Sequence, residues 1–333
     1  MSAPLASSRQ LKISFTKRLL NALGIWCVLV GLVMAGLLAF PKFGQADNLL
    51  NILRNVTLLG IVAIGASFVT YGRHYIDLSI PPLMACVGLV TISAQPLGIG
   101  PSLLLGLTAG LAIGLLNGWA VGYLRLNPII WTLAVSFFLD GFLRWAYAGH
   151  QVYPDADTTT GRFFLDLPQR TLPGGIPVGT ALMLVLALAG HWLMTLTRFG
   201  RQLQLTGIAY DVAALSGVRV RRVVLLTFVL SAFTTSLAGL LLSALNRQGT
   251  FDTGQGYDFN AITAVVLGGV LLQGGRGNVL GVLGGVLLIG VLINLMTLLG
   301  IGSFGQMVVK GLIFMAVVGL TAWLTRRSGR SDE

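Results

Sequence analysis

Asp140 and Arg144 are the residues of this 333-residue chain whose types and spacing first suggest chemistry. They stand four apart in an apolar run over 128–147, so on a helix they share a face and can bond each other. An ionisable group in hydrocarbon costs roughly 2.5 to 3.5 kcal/mol on insertion scales unless it meets a cavity or a partner. The pair is therefore either self-satisfied and structural or turned towards a solute. Asn117, Gln273, Asn246 and Asn294 are amides in or beside similar runs, and each can bond a hydroxyl-rich solute or link two helices. Covalent chemistry finds no seat. None of the four lysines (12, 17, 42, 310) follows a glycine, which excludes a Walker A phosphate cradle. There is no G-x-S-x-G elbow, no H-E-x-x-H and no paired-cysteine motif, and the three histidines (74, 150, 191) lie far apart near the ends of apolar runs. No catalytic residue, metal site or bound cofactor is expected.

The elements that must position these groups are membrane spans. With 55% apolar residues, 10% charged residues and 44 glycines, the composition is that of a polytopic membrane protein. At about 20 residues per crossing, hydropathy places all-α spans near 19–40, 49–70, 80–95, 102–124, 128–147, 178–197, 223–245, 258–273, 279–299 and 304–324. Ten crossings put both termini on one side. The segments then cytoplasmic hold 15 of the 22 lysines and arginines, and the other seven are Lys42, Arg54, Arg144, Arg162, Arg170, Arg247 and Lys310. That bias puts both termini in the cytoplasm. It also accounts for the net charge of +11 without nucleic acid, because no basic stripe interleaves with aromatics. Cys27 and Cys86 fall inside apolar runs and read as inert core thiols.

Two spans are doubtful. The third opens on Pro81-Pro82, and the eighth has only about a dozen cleanly apolar residues. By parity both cross or neither does. Interrupted spans are tolerated where backbone lines a water-filled path or is buried in protein. These two are therefore candidates for a permeation route, or simply short buried helices. Gly106, Gly110, Gly114 and Gly118 recur every fourth residue in the fourth span, and Gly281, Gly284, Gly285 and Gly290 line the ninth, as expected for close helix packing. The connector 148–177 carries three aspartates, two arginines and four prolines. A connector of that length either serves contact on the outer face or is a solvated loop.

One stretch belongs in water at a membrane face: 198–222, RFGRQLQLTGIAYDVAALSGVRVRR, with five arginines and the single acid Asp211. Gly207 and Gly217 bracket a helical pattern in which Gly217 suits the C-terminal cap and Tyr210, Ala213, Ala214 and Leu215 form a small apolar side. So short a helix needs something to lie on. Its arginines suit anionic lipid headgroups, and its apolar side equally suits a cytoplasmic partner.

From Gly254 the chain reads GQGYDFNAITAVVLGGVLLQGGRGNVLG. This resembles the signature of the permease subunits of bacterial ABC importers, in the ribose-type sugar branch: a Gly-Tyr-Glu-Leu-Asp-Ala-Ile-Ala-Ala-Val-Val-Leu-Gly-Gly run followed by Gly-Gly-x-Gly. Gly256, Tyr257, Gly268, Gly269, Gly274, Gly275 and Gly277 carry it, as do Asp77 and Ser79 in Ile76-Asp77-Leu78-Ser79 and Thr132-Leu133 after Pro128. The stretch around Gly207, Asp211, Ala213, Leu215, Ser216 and Gly217 resembles the family's cytoplasmic loop, and the resemblance implies that it is the coupling helix seated in a groove of an ATPase. The likeness spans about residues 45–325. Departures include His74-Tyr75 and Pro81-Pro82 around the Asp-Leu-Ser run, Asp140-Gly141 in place of Arg-Gly, and Asp258 and Asn260 in place of Glu and Asp. A heterodimer with a sister permease that keeps the standard motifs would explain them.

The resemblance implies a cytoplasmic tail over 1–18, a transmembrane permease domain over 19–325 with a periplasmic connector at 148–177 and a coupling loop at 198–222, and a second tail over 326–333. Expected partners are a cytoplasmic ABC ATPase that binds the ATP and Mg, a periplasmic sugar-binding protein, a second permease subunit and membrane lipid. The expected path residues are Asn117, Asp140, Arg144, Asp258, Asn260, Thr263 and Gln273, whose amides, hydroxyls and charges can bond sugar hydroxyls in turn. The competing expectations are a branched-chain amino-acid permease of the same superfamily and an ATP-independent secondary transporter. The latter needs a deep ion-coupling group, for which Asp140 is the candidate.

Overall fold

The computed structural model describes residues 8–73 and 76–329, with side chains over 24–73 and 76–319. Among these residues the chain is all-α. In order come α1 (Ser8–Ala39), α2 (Ala46–Tyr71), α3 (Ile80–Ser93), α4 (Ile99–Tyr123), α5 (Pro128–Ala146), α6 (Thr159–Asp166), α7 (Val178–Leu196), α8 (Arg198–Ile208), α9 (Tyr210–Leu215), α10 (Val220–Asn246), α11 (Tyr257–Leu267), α12 (Val279–Leu298) and α13 (Ser303–Gly329). Extended pairing among them is confined to two isolated bridges, Val152 with Gly249 and Thr171 with Pro177.

Each apolar run of the sequence carries a helix. Among the described residues six helices, α2, α4, α5, α7, α10 and α12, are by length and composition able to cross a membrane. Local chemistry sets their ends. Asn127 accepts from the Ile129 and Ile130 amides and is followed by Pro128, which opens α5 without needing an amide donor. Pro81 and Pro82 occupy the first turn of α3 for the same reason, so they mark a helix start rather than spoil a span. α1 begins at Ser8 and α13 runs to Gly329, so helix enters both expected tails; residues 1–7, 330–333 and the His74-Tyr75 pair lie outside the described residues.

Three expectations are corrected. The eighth span, expected over 258–273, is helical only to Leu267, because Gly268 caps it and Gly269 takes φ +83°, a conformation no helix continues. The helix expected between Gly207 and Gly217 is α9, shorter than that bracket, and a separate helix, α8, precedes it. Thr197 caps α8 by accepting from the Gly200 amide, so helix starts at Arg198, nine residues before Gly207, and Ala209 turns to extended geometry before α9. Gly217, at φ +80°, follows the end of α9 as its sequence position requires. Of the two thiols Cys86 is buried, whereas Cys27 lies exposed on α1.

The bundle is organised around α10, which packs on α4, α2 and α3. Along α4 the repeated glycines make this possible: a Cβ on Gly118 would lie 2.7 and 2.8 Å from the Leu225 backbone, and Gly110 receives the Ser236 side chain. Without hydrophobic drive between helices in lipid, such backbone approach supplies the packing. A reciprocal amide pair, Asn48 with Asn294 at 3.1 and 2.7 Å, ties α2 to α12. The connector is folded rather than loose. Phe164 of α6 is fully buried, and Val152 and Gly249 exchange backbone hydrogen bonds at 3.1 and 2.8 Å, fastening the connector to the chain after α10.

Candidate functional site

The break between α2 and α3 is held from two sides. Ser79 donates its backbone amide at 3.0 Å and its hydroxyl at 2.6 Å to Asp77 Oδ1, an arrangement that turns the chain into α3. Asn117 of α4 donates to Ser79 Oγ at 2.8 Å and accepts from Trp131 Nε1 of α5 at 3.1 Å. Thr132 Oγ1 accepts from the Leu78 amide at 3.1 Å and donates to the Pro128 carbonyl at 2.8 Å. Asp77, Ser79, Asn117 and Thr132 are all buried. Buried non-helical backbone survives only where protein groups replace water as partners, and this network supplies them. Asn117 therefore sits inside the lock, with both ends of its amide engaged.

α11 meets α3 in the interior. Gly254, just before α11, packs on Met84 of α3 so closely that a Cβ would lie 2.9 Å from the Met84 Cβ. Two short helices thus bring their N-terminal ends, each with an aspartate, into one region. At 1.5 Å per residue an 11-residue α11 rises about 16 Å, roughly half the hydrocarbon thickness. Asn260 is half-buried, and Thr263 is buried with its hydroxyl donating to the Phe259 carbonyl at 2.7 Å. Thr263 lines a small cavity with Leu267, Leu288, Ile289, Leu292, Lys310 and Ile313. Lys310 stands outside the residues singled out from the sequence, although a lysine inside an apolar run is a signal in itself. Trp131 was also missed; its indole partner is 14 residues away and no local spacing reveals it. Gln273 is exposed in the loop after α11.

At the end of the bundle that carries α8 and α9, Ala213 is buried against the ends of α2, α4 and α10 in a cluster with Val69, Val121, Val220, Val224 and Phe228. Arg125, after α4, stacks over the Tyr210 ring at 5.7 Å. These helices also carry bare apolar side chains: Leu215 is 89% exposed, and Leu205, Ile208 and Val212 are exposed as well, as are Asp211 and Ser216. Gly207 instead is buried against the Tyr71 carbonyl and Gly275.

Asp140 and Arg144 lie at the end of α5 that leads into the connector, beside the loop before α11. Arg144 Nε bridges both Asp140 oxygens at 3.1 Å, Arg144 Nη2 reaches Asp252 at 3.2 Å, and the guanidinium rests over Phe251 at 5.0 Å. All three charges are about half exposed or more. No group of three or more metal-binding side chains occurs among the described residues.

Residues 48–318 match the family described as branched-chain amino acid transport system / permease component. The chain belongs to this family of transport permeases. Among its relatives are the ribose import permease protein RbsC of Bacillus subtilis, 34% identical over 84% of this chain and 85% of that protein, and the L-arabinose transport system permease protein AraH of Escherichia coli, 32% identical over 90% of each. The probable ABC transporter permease protein YphD of Escherichia coli is 32% identical over 100% of this chain and 99% of its own length. The permease is thus of the ribose type, a multi-pass protein of the bacterial inner membrane and a transport subunit without an ATPase site, hydrolysis falling to a partner. The fold explains the signature's glycines. A Cβ on Gly268 would lie 2.6 Å from the Gly281 carbonyl oxygen and from Val282 Cα, and one on Gly277 would lie 2.7 Å from the Val270 side chain, so the turn after α11 folds closely on α12 and on itself.

Proposed function

We propose that the permease carries a monosaccharide, delivered by a periplasmic binding protein, into the cytoplasm. A pentose is the favoured class. The relatives named for ribose and L-arabinose support a sugar over a branched-chain amino acid. In this reading all ten apolar helices contribute to the crossing, α3 and α11 with their non-helical extensions, and both termini are cytoplasmic. The path runs beside α11, past Asp258, Asn260 and Thr263, where two helix N-terminal ends and polar side chains can bond sugar hydroxyls in succession. Asn117 holds the break that shapes this path. Gln273 lies at its inner mouth, and Asp140 and Arg144 at its outer rim, where the connector offers a folded surface to the binding protein. A second permease, identical or a sister chain, completes the path.

Energy enters at α8 and α9. The single observation that carries the reading is that Leu205 and Ile208 of α8 and Val212 and Leu215 of α9 stand bare while Ala213 is buried: two short helices fixed to the bundle and left with apolar side chains uncovered. An ATPase groove fits such side chains, with Asp211, Ser216 and Gly217 at its edge, and ATP and Mg bind on that partner. Closure of the ATPase then shifts a two-state bundle between outward and inward access. Membrane vesicles holding the assembled importer and its binding protein test this with labelled D-ribose and L-arabinose. Uptake that needs ATP, survives a protonophore and falls with Leu215→Glu supports it. Uptake driven by the proton gradient alone would return the function to a secondary transporter.

A further inference from the structure

Gly207 and Gly275 stand 68 positions apart in the chain, and the fold sets them backbone to backbone. A Cβ on Gly207 would lie 2.9 Å from Gly275 Cα and would run into the Tyr71 carbonyl. A Cβ on Gly275 would lie 2.8 Å from the Ile208 nitrogen and 3.1 Å from the Gly207 carbonyl carbon. The Gly275 amide donates to the Tyr71 carbonyl at 2.9 Å, and a Cβ on Gly274 would lie 2.6 Å from Arg73 Cα. Three segments therefore meet largely backbone to backbone, with the Ile208 side chain also against the turn, its Cγ1 2.5 Å from a Cβ built on Gly275: the last turn of α8, the turn after α11, and the end of α2. The turn is itself closed by bonds from Gly274 to Leu271 at 2.9 Å and from Leu271 to Arg276 at 3.1 Å. It leads back to α11, while the end of α2 leads on to the break before α3.

We propose that this glycine junction is the positioning element that passes a displacement of α8 and α9 to α11 and to the α2–α3 break at once. The inference rests on reading α8–α9 as the ATPase contact. Side-chain contacts absorb small shifts by changing rotamer, whereas apposed backbones in a close-packed interior transmit them. Both receiving helices join non-helical segments that can take up the change in φ and ψ. A path helix and the break opposite it are thereby moved by one lever.

The test uses the full chain assembled with its cognate ATPase in nanodiscs, in a Cys27→Ser, Cys86→Ala background. Asn260→Cys reports α11 through its rate of modification by a membrane-impermeant maleimide, with and without Mg-ATP and vanadate. The rate is expected to change by about fivefold or more with nucleotide, and by less than about twofold once Gly275→Ala or Gly207→Ala is added. Gly269→Ala controls for backbone strain: its φ is +83°, like the +71° of Gly275, but a Cβ there meets nothing within 4 Å, so it should keep the full change. An independent measurement needs no junction variant. Spin labels on Gln204→Cys and Gln273→Cys, both exposed, should keep their separation on trapping, and a change beyond about 5 Å overturns the junction. A nucleotide-dependent change kept in full in Gly275→Ala and Gly207→Ala, or no nucleotide effect at residue 260 in the parent, also overturns it. Failure of the ATPase to bind the parent chain would instead sink the coupling reading.

Discussion

Asn117 donates its amide to the Ser79 hydroxyl at 2.8 Å, and that hydroxyl donates onward to Asp77 at 2.6 Å. Through this relay α4 fixes the point at which the chain, after leaving α2, begins α3. The relay is buried at every member, so its parts stabilise only as a set.

Removing one member strands the others. Asn117→Ala leaves the Trp131 indole without its acceptor, and a buried unsatisfied donor costs about 1–3 kcal/mol. Thermal unfolding in detergent should show Asn117→Ala several degrees below the parent, with Trp131→Phe milder. An unchanged melting temperature with lost uptake would move Asn117 from the lock to the solute path.

Asp77 offers a sharper contrast. Both Ser79 bonds end on one oxygen, Oδ1, so Asp77→Asn keeps the acceptor and removes a buried charge, whereas Asp77→Ala removes the acceptor as well. The expected order of stability is Asn close to or above the parent and Ala about 1–3 kcal/mol below it. Equal loss in both variants would show that the charge itself is required.

Glycine positions should divide by what surrounds them. Gly118→Ala forces a Cβ to within 2.7 Å of the Leu225 carbonyl, where only backbone could yield, so α4 must part from α10 and expression of folded protein should fall steeply. Gly141 has nothing within 4 Å of the added atom and lies mid-helix in α5, so Gly141→Ala should be neutral or gain up to about 1 kcal/mol. Size-exclusion profiles of the two variants after heating decide it.

Arg144 predicts a small effect. Its partners Asp140 and Asp252 are exposed, and exposed ion pairs contribute about 0–1 kcal/mol. Arg144→Gln should leave thermal stability within that margin. A drop in uptake driven by the binding protein at unchanged stability would mark the triad as part of the outer docking rim.

Much of this was legible in the chain itself. Hydropathy located every apolar helix, because a run of apolar residues ended by Asn127-Pro128 or Thr197 has one cheap conformation in lipid whatever its neighbours are. The i, i+4 spacing gave the Asp140–Arg144 contact, and Gly217 gave the end of α9, since both are properties of a single turn of helix. Other features needed the fold. The end of α11 at Leu267, the Asp77–Ser79–Asn117–Trp131 relay, the meeting of Gly254 with Met84 and the Gly207–Gly275 junction all join residues from separate elements. Helical periodicity reports which residues share a face and is silent on which face meets which. The sequence therefore determined the helices, their caps and the membrane as solvent, whereas only packing decided which polar groups would be spent on holding the bundle and which left for a solute or partner.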